Sequence, residues 1–236
     1  MLTKRKNFTL LGIYLGGMFI LPLLMIPIIA LLHGYSLEQI REGGFLSIEQ
    51  LALINFISYV ALCIMLLFLT RHIFKQDFQK IDSWSGFLKQ MGFGLLGTFG
   101  AAWLGNSIVM RILGTMEVSA NQELAETLLT ATPTLMIISI IVLGPIVEEI
   151  IFRLVLMNHF NWKPVHHLIF SSLIFGMVHV LVGGWLHIIP YFLMGLVLGY
   201  FYLKNNNIWY VTVLHMLHNG LTVVLIFWAQ HIMEVY

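Results

Sequence analysis

The stretch PTLMIISIIVLGPIVEEIIFRLVLMNHF, residues 133–160, decides how the chain is read. It is apolar, with only Thr134 and Ser139 as exceptions, until two adjacent glutamates, Glu148 and Glu149, and then Arg153 interrupt it. A membrane-spanning helix needs about 20 mostly apolar residues, and this run satisfies that requirement only with three charges inside it. An ionisable side chain at membrane depth is costly, so the default reading is a working site.

The rest of the chain supports the membrane reading. It has 236 residues, 59% of them hydrophobic and only 10% charged, with a mean hydropathy of +0.89. That is more apolar surface than a soluble domain can hide, which leaves hydrocarbon as the solvent. Seven segments read as spans: about 8–32, 50–70, 91–112, 134–157, 165–183, 185–203 and 208–230. The expected fold is all-α, a polytopic transmembrane helix bundle of about seven spans. An additional interfacial helix in 71–90 would raise the number of membrane helices to eight. With no repeat or linker in view, residues 1–236 form one membrane domain, with N-terminal spans in 1–130 and a polar-motif core in 131–230. The opening MLTKRKNFTL resembles a signal-peptide start, but the apolar run behind it is too long and lacks a cleavage site, so it reads as a retained first span. A net charge of +1 gives no case for nucleic acid, and the single cysteine, Cys63, can form neither an internal disulfide nor a thiolate metal cage.

Basic residues orient the stack. With the N-terminus cytoplasmic, 10 of the 12 Lys and Arg residues fall inside and only Arg41 and Arg111 fall outside. Seven spans then put the C-terminus outside.

Polar residues recur in two other spans. Glu149 and Arg153 are four apart and share a helix face on which they can pair, while Glu148 is rotated by ~100° and is free to face another helix. His179 lies deep in HHLIFSSLIFGMVHVLV, residues 166–182, four residues after Phe175 on the same face. His166 and His167 stand at the expected inner boundary and read as interfacial. In NIWYVTVLHMLHNGLTVVLIFW, residues 207–228, His215 and Asn219 share a face with His218 beside it. Counted at about 1.5 Å per residue, Glu148, His179 and His215 differ in depth by up to about 11 Å, which tilt or kinks must close. A converged base, two imidazoles and an amide suffice to activate water and stabilise an oxyanion in amide hydrolysis. The set Glu148, His179 and His215 is also one that a divalent metal such as zinc uses to acidify its water, so metal-assisted and metal-free readings both stand.

These residues resemble the CPBP family, also called the CAAX protease and bacteriocin-processing or Abi family. E-E-I-I-F-R at 148–153 is similar to its EExxxR motif, F-G-M-V-H at 175–179 to FxxxH, and H-M-L-H-N at 215–219 to HxxxN/D. The resemblance covers roughly 134–222. It implies an intramembrane endopeptidase acting on a membrane-associated peptide or protein. In it Glu148 and His179 activate water, His215 and Asn219 complete the site, and Glu149, Arg153 and Phe175 support it. Relatives are linked to cleavage of prenylated proteins, bacteriocin immunity and peptide maturation, and the family is often called metalloprotease. Two readings compete: a non-catalytic membrane immunity or sensor-regulating protein that keeps the polar network, and a transporter, which would be expected to show paired broken helices or internal repeats.

Overall fold

Ser47 and Ser83 each stand just ahead of a long apolar run, and each starts a helix. The Ser47 hydroxyl accepts from Gln50 N–H while the Gln50 side chain accepts from Ser47 N–H, a reciprocal cap. The Ser83 hydroxyl accepts from Gly86 N–H. A computed structural model describes residues 3–42 and 44–235, and it is all-α, with no strand among the described residues.

The elements are α1 (Lys4–Leu32), α2 (Leu37–Glu42), α3 (Ile48–Gln79), α4 (Trp84–Leu113), α5 (Ala120–Ala131), α6 (Pro133–Asn158), α7 (Pro164–His179), α8 (Trp185–Asn205) and α9 (Ile208–Val235). Six of them, α1, α3, α4, α6, α8 and α9, are long and apolar enough to cross a membrane. The remaining expected span, 165–183, corresponds to α7, which is apolar but only 16 residues long. It stops at His179, short of the expected 183, because the chain turns through Gly183 and Gly184 at φ 129° and 68°, values that favour glycine. Residues 71–79 do not form a separate interfacial helix. They prolong α3, and α4 begins at Trp84. The helix α5 was not foreseen; it packs Leu128 and Leu129 against Ala52, Met136 and Val223.

Helix α6 is the centre of the bundle: half of its apolar window is buried, against 11% for α1 at the periphery. Its neighbours α7 and α8 lie close together. A Cβ on Gly195 would meet the backbone of Ser172 at 3.1 Å, and one on Gly176 would meet Ile188 O at 3.1 Å, so glycine permits this contact. The start of α9 is pinned to the end of α3. Ile208 N–H donates to Asp77 Oδ2 at 3.0 Å, and the Trp209 indole donates to Phe74 O at 2.8 Å. The exterior is apolar, with Leu31, Leu96 and Trp103 more than 70% exposed, as a lipid-facing surface requires.

Candidate active site

The site begins with a proline. Pro145 lies inside α6 and has no N–H, and its ring clashes with the preceding turn of an ordinary α-helix. The helix widens there: Ser139–Leu143 forms a π-turn in which Gly144 N–H donates five residues back, to Ser139 O. A second π-turn, Ile150–Val155, follows, so Glu148 and Glu149 occupy a short α segment between two widened turns. Ile140 O is thereby left without a helical partner. Gly144 N–H, its α-helical donor, goes to Ser139, and the donor a π-turn would supply is the missing N–H of Pro145. Asn219 on α9 satisfies this carbonyl, its Nδ2 donating to Ile140 O at 2.8 Å.

The two glutamates have different surroundings. Glu149 is fully buried, and both its oxygens are engaged. Arg153 Nε donates to Oε2 at 2.9 Å and His215 Nδ1 donates to Oε1 at 2.8 Å. Arg153, also fully buried, donates from Nη1 to Ser171 Oγ at 3.0 Å, and Ser171 in turn donates to Phe152 O at 2.7 Å. Phe175 closes this network: it is fully buried, its ring edge-on to Phe152 at 5.1 Å and its centroid 5.7 Å from the Arg153 guanidinium.

Glu148 points elsewhere. Its side chain is 14% exposed, its Oε2 has no hydrogen-bond partner, and that oxygen lies 3.9 Å from Nε2 of both His179 and His215. His179 Nδ1 makes a 2.7 Å bond to Phe175 O. A carbonyl only accepts, so Nδ1 carries the hydrogen; the same reasoning applies to His215 Nδ1 against the Glu149 carboxylate. In their neutral forms both imidazoles therefore present an Nε2 lone pair to Glu148.

Side-chain direction narrows the depth gap that residue counting gives between Glu148 and His179. Helical side chains lean toward the N-terminus of their own helix. The His179 ring reaches back to Phe175 O, one turn earlier, and Glu148 Oε1 reaches back to the space beside Gly144, where an added Cβ would lie 3.7 Å away. Helices α6 and α7 run in opposite senses around the short connection between them, so these two displacements bring the heads together.

Six nominated residues, Glu148, Glu149, Arg153, Phe175, His179 and His215, thus converge. Asn219 sits beside them but is engaged with the α6 backbone. His218 turns away to α4, where its Nδ1 bonds Thr98 Oγ1 at 3.0 Å and its ring lies 4.5 Å from Phe99. Of the two histidines read as interfacial, His167 is buried, its Nε2 held by the Trp162 backbone, while His166 is exposed. Sequence reading missed Ser171 and Tyr59. The first was visible as a polar pair, Ser171–Ser172, in an apolar helix. The second, whose ring flanks the space beside Glu148 at Gly144, carries no such signal.

Among the described residues, no group of three His, Cys, Asp or Glu side chains is arranged to hold a metal ion. Ligands of a tetrahedral zinc, at about 2.0–2.2 Å from the ion, stand roughly 3.3–3.6 Å apart. The 3.9 Å separations of Glu148 from both imidazoles are wider, so the donor set does not fit zinc as it stands.

Fold and site together define a class: a polytopic helical membrane protein with a carboxylate–imidazole cluster enclosed in its bundle. Residues 130–221 match the family model described as type II CAAX prenyl endopeptidase Rce1-like. The chain is also similar to a Bacillus subtilis (strain 168) protein named "Putative membrane peptidase YdiL", at 27% identity over 201 residues, covering 81% of this chain and 78% of the relative. No solved structure matches it. The motif-bearing region is thus similar to CAAX-type membrane proteases, and the protein is a peptide hydrolase of the membrane.

Proposed function

We propose that the protein is an intramembrane endopeptidase that hydrolyses a membrane-associated peptide or protein with a water activated by Glu148 and His179. The observation that carries this reading is the unpaired Glu148 Oε2, 3.9 Å from each of two imidazole Nε2 atoms. That spacing is too long for direct hydrogen bonds but suits a water shared among the three groups. Glu148 takes a proton as the water oxygen bonds to the peptide carbonyl carbon. The same proton then passes to the amide nitrogen as the C–N bond breaks. An imidazolium at His179 or His215 would offer an Nε2–H to the oxyanion. Glu149 and Arg153 hold His215 in orientation, and Asn219 fixes α9 against α6. Region 131–230 carries the chemistry, and the spans within 1–130 wall it, with the N-terminus cytoplasmic and the C-terminus outside as the basic residues indicate.

The test compares peptide termini, mapped by mass spectrometry, from cells expressing wild type or Glu148→Gln at matched levels. Termini found only with wild type support the assignment. Identical maps would sink it.

A further inference from the structure

Tyr191 on α8 lies outside all three motifs, yet its ring stacks on the His179 imidazole, with centroids 4.5 Å apart and planes 26° from parallel. Phe175 approaches the same imidazole at 4.4 Å. The Nδ1 bond to Phe175 O fixes one direction in the His179 ring plane but leaves rotation about that direction open. A stacked neighbour removes that freedom. The tyrosine is itself tethered. Its hydroxyl is 2.9 Å from Ser119 Oγ, and Asn121 Nδ2 donates to it at 3.4 Å. Ser119 caps the start of α5, its hydroxyl accepting from Gln122 N–H at 3.1 Å. The same segment is held a second time, at Glu117 O, by His187 Nε2 at 3.1 Å, so Tyr191 is clamped from an element distant in sequence.

We infer that Tyr191 is a positioning residue: it holds the His179 ring so that Nε2 faces Glu148, and the Ser119–Asn121 segment holds Tyr191. The inference rests on the proposed role of His179 in activating water. A tyrosine that only filled space would be replaceable by any side chain of similar bulk. One that orients an imidazole needs a flat ring at that place, and loss of alignment at a reacting centre lowers turnover more than binding.

Two readouts on purified full-length protein in detergent separate these cases. The first is the rate of carbethoxylation of individual histidines by diethyl pyrocarbonate, mapped by mass spectrometry, which reads His179 directly whether or not a substrate is cleaved. In Tyr191→Leu the His179 rate rises several-fold while that of His215 stays at its wild-type value; Tyr191→Phe, which keeps the ring but loses the tether to Ser119 and Asn121, gives a His179 rate between those of wild type and Tyr191→Leu. The second is cleavage of fluorophore-quenched casein across pH, with Glu148→Gln alongside. Tyr191→Leu lowers kcat roughly 10- to 100-fold, with KM within about twofold, and displaces the histidine limb of the pH profile; Tyr191→Phe recovers most of the turnover. An unchanged His179 rate in Tyr191→Leu, or a Phe variant as disturbed as the Leu variant, overturns the positioning role. Casein cleavage that persists in Glu148→Gln would instead overturn the water-activation reading, leaving the carbethoxylation result to judge Tyr191 by itself.

Discussion

The two sides of α6 at residues 148 and 149 differ as sharply as any two regions of the molecule. On one side Glu149, Arg153, His215 and Ser171 form a buried set in which both Glu149 oxygens have partners and the Glu149 and Arg153 side chains are inaccessible, with Arg153 Nη2 alone unpartnered. On the other, Glu148 keeps a buried carboxylate oxygen without a partner between two imidazoles, and its side chain is 14% exposed. A rotation of ~100° along one helix separates the two. A buried charge is tolerable only when paired and hydrogen-bonded, so the sealed side bears on whether the protein folds. A carboxylate oxygen without a partner is free to bond a substrate or water, so the open side bears on whether it works.

Substitutions on the two sides should therefore fail in different assays. The largest effect belongs to Glu148→Gln: peptide cleavage falls about 10²- to 10⁴-fold, the range for loss of a general base, while thermal unfolding in detergent stays within about 0.5 kcal/mol of wild type. A variant that loses its fold along with its activity would erase the distinction. Next is Arg153→Met, which strands the Glu149 charge. It should destabilise by about 3–5 kcal/mol, read as a lower unfolding temperature and poor accumulation in membranes. Ser171→Ala removes one charged-group hydrogen bond from the same set and should cost about 1.5–3 kcal/mol, with little change in turnover per folded molecule.

The smallest effect is the most diagnostic. Asn219→Ala should cost about 1 kcal/mol through the orphaned Ile140 carbonyl. Pro145→Ala returns an N–H to this turn and should make that loss disappear, a coupling of roughly 0.5–1.5 kcal/mol in a double-mutant cycle. Additive effects would show that Asn219 does not serve the proline-broken turn.

Much of this was legible in sequence because the signals are local. The lipid environment follows from the length of apolar runs, and the Glu149–Arg153 pair follows from four-residue spacing on one helix. Spacing along the chain did not show where each polar side chain is engaged. His218 carries the same imidazole as His215, three residues away, but a helical rotation sends it to Thr98 on α4. His167 looked interfacial, yet its own chain turns back at Trp162 to cover it. Asn219 was visible as a polar residue in a span, whereas its partner is a backbone carbonyl that only the proline-widened turn exposes.

The sequence by itself determined the solvent, the approximate spans and the identities of the polar residues placed against their preference inside them, since hydropathy and helical periodicity are properties of neighbours along the chain. The tertiary structure decided which glutamate is sealed and which is open, which histidines face them, and that Tyr191 lies against His179. Those outcomes depend on how helices rotate and cross, and on side chains that lean back a full turn along antiparallel helices, which no spacing along one helix encodes.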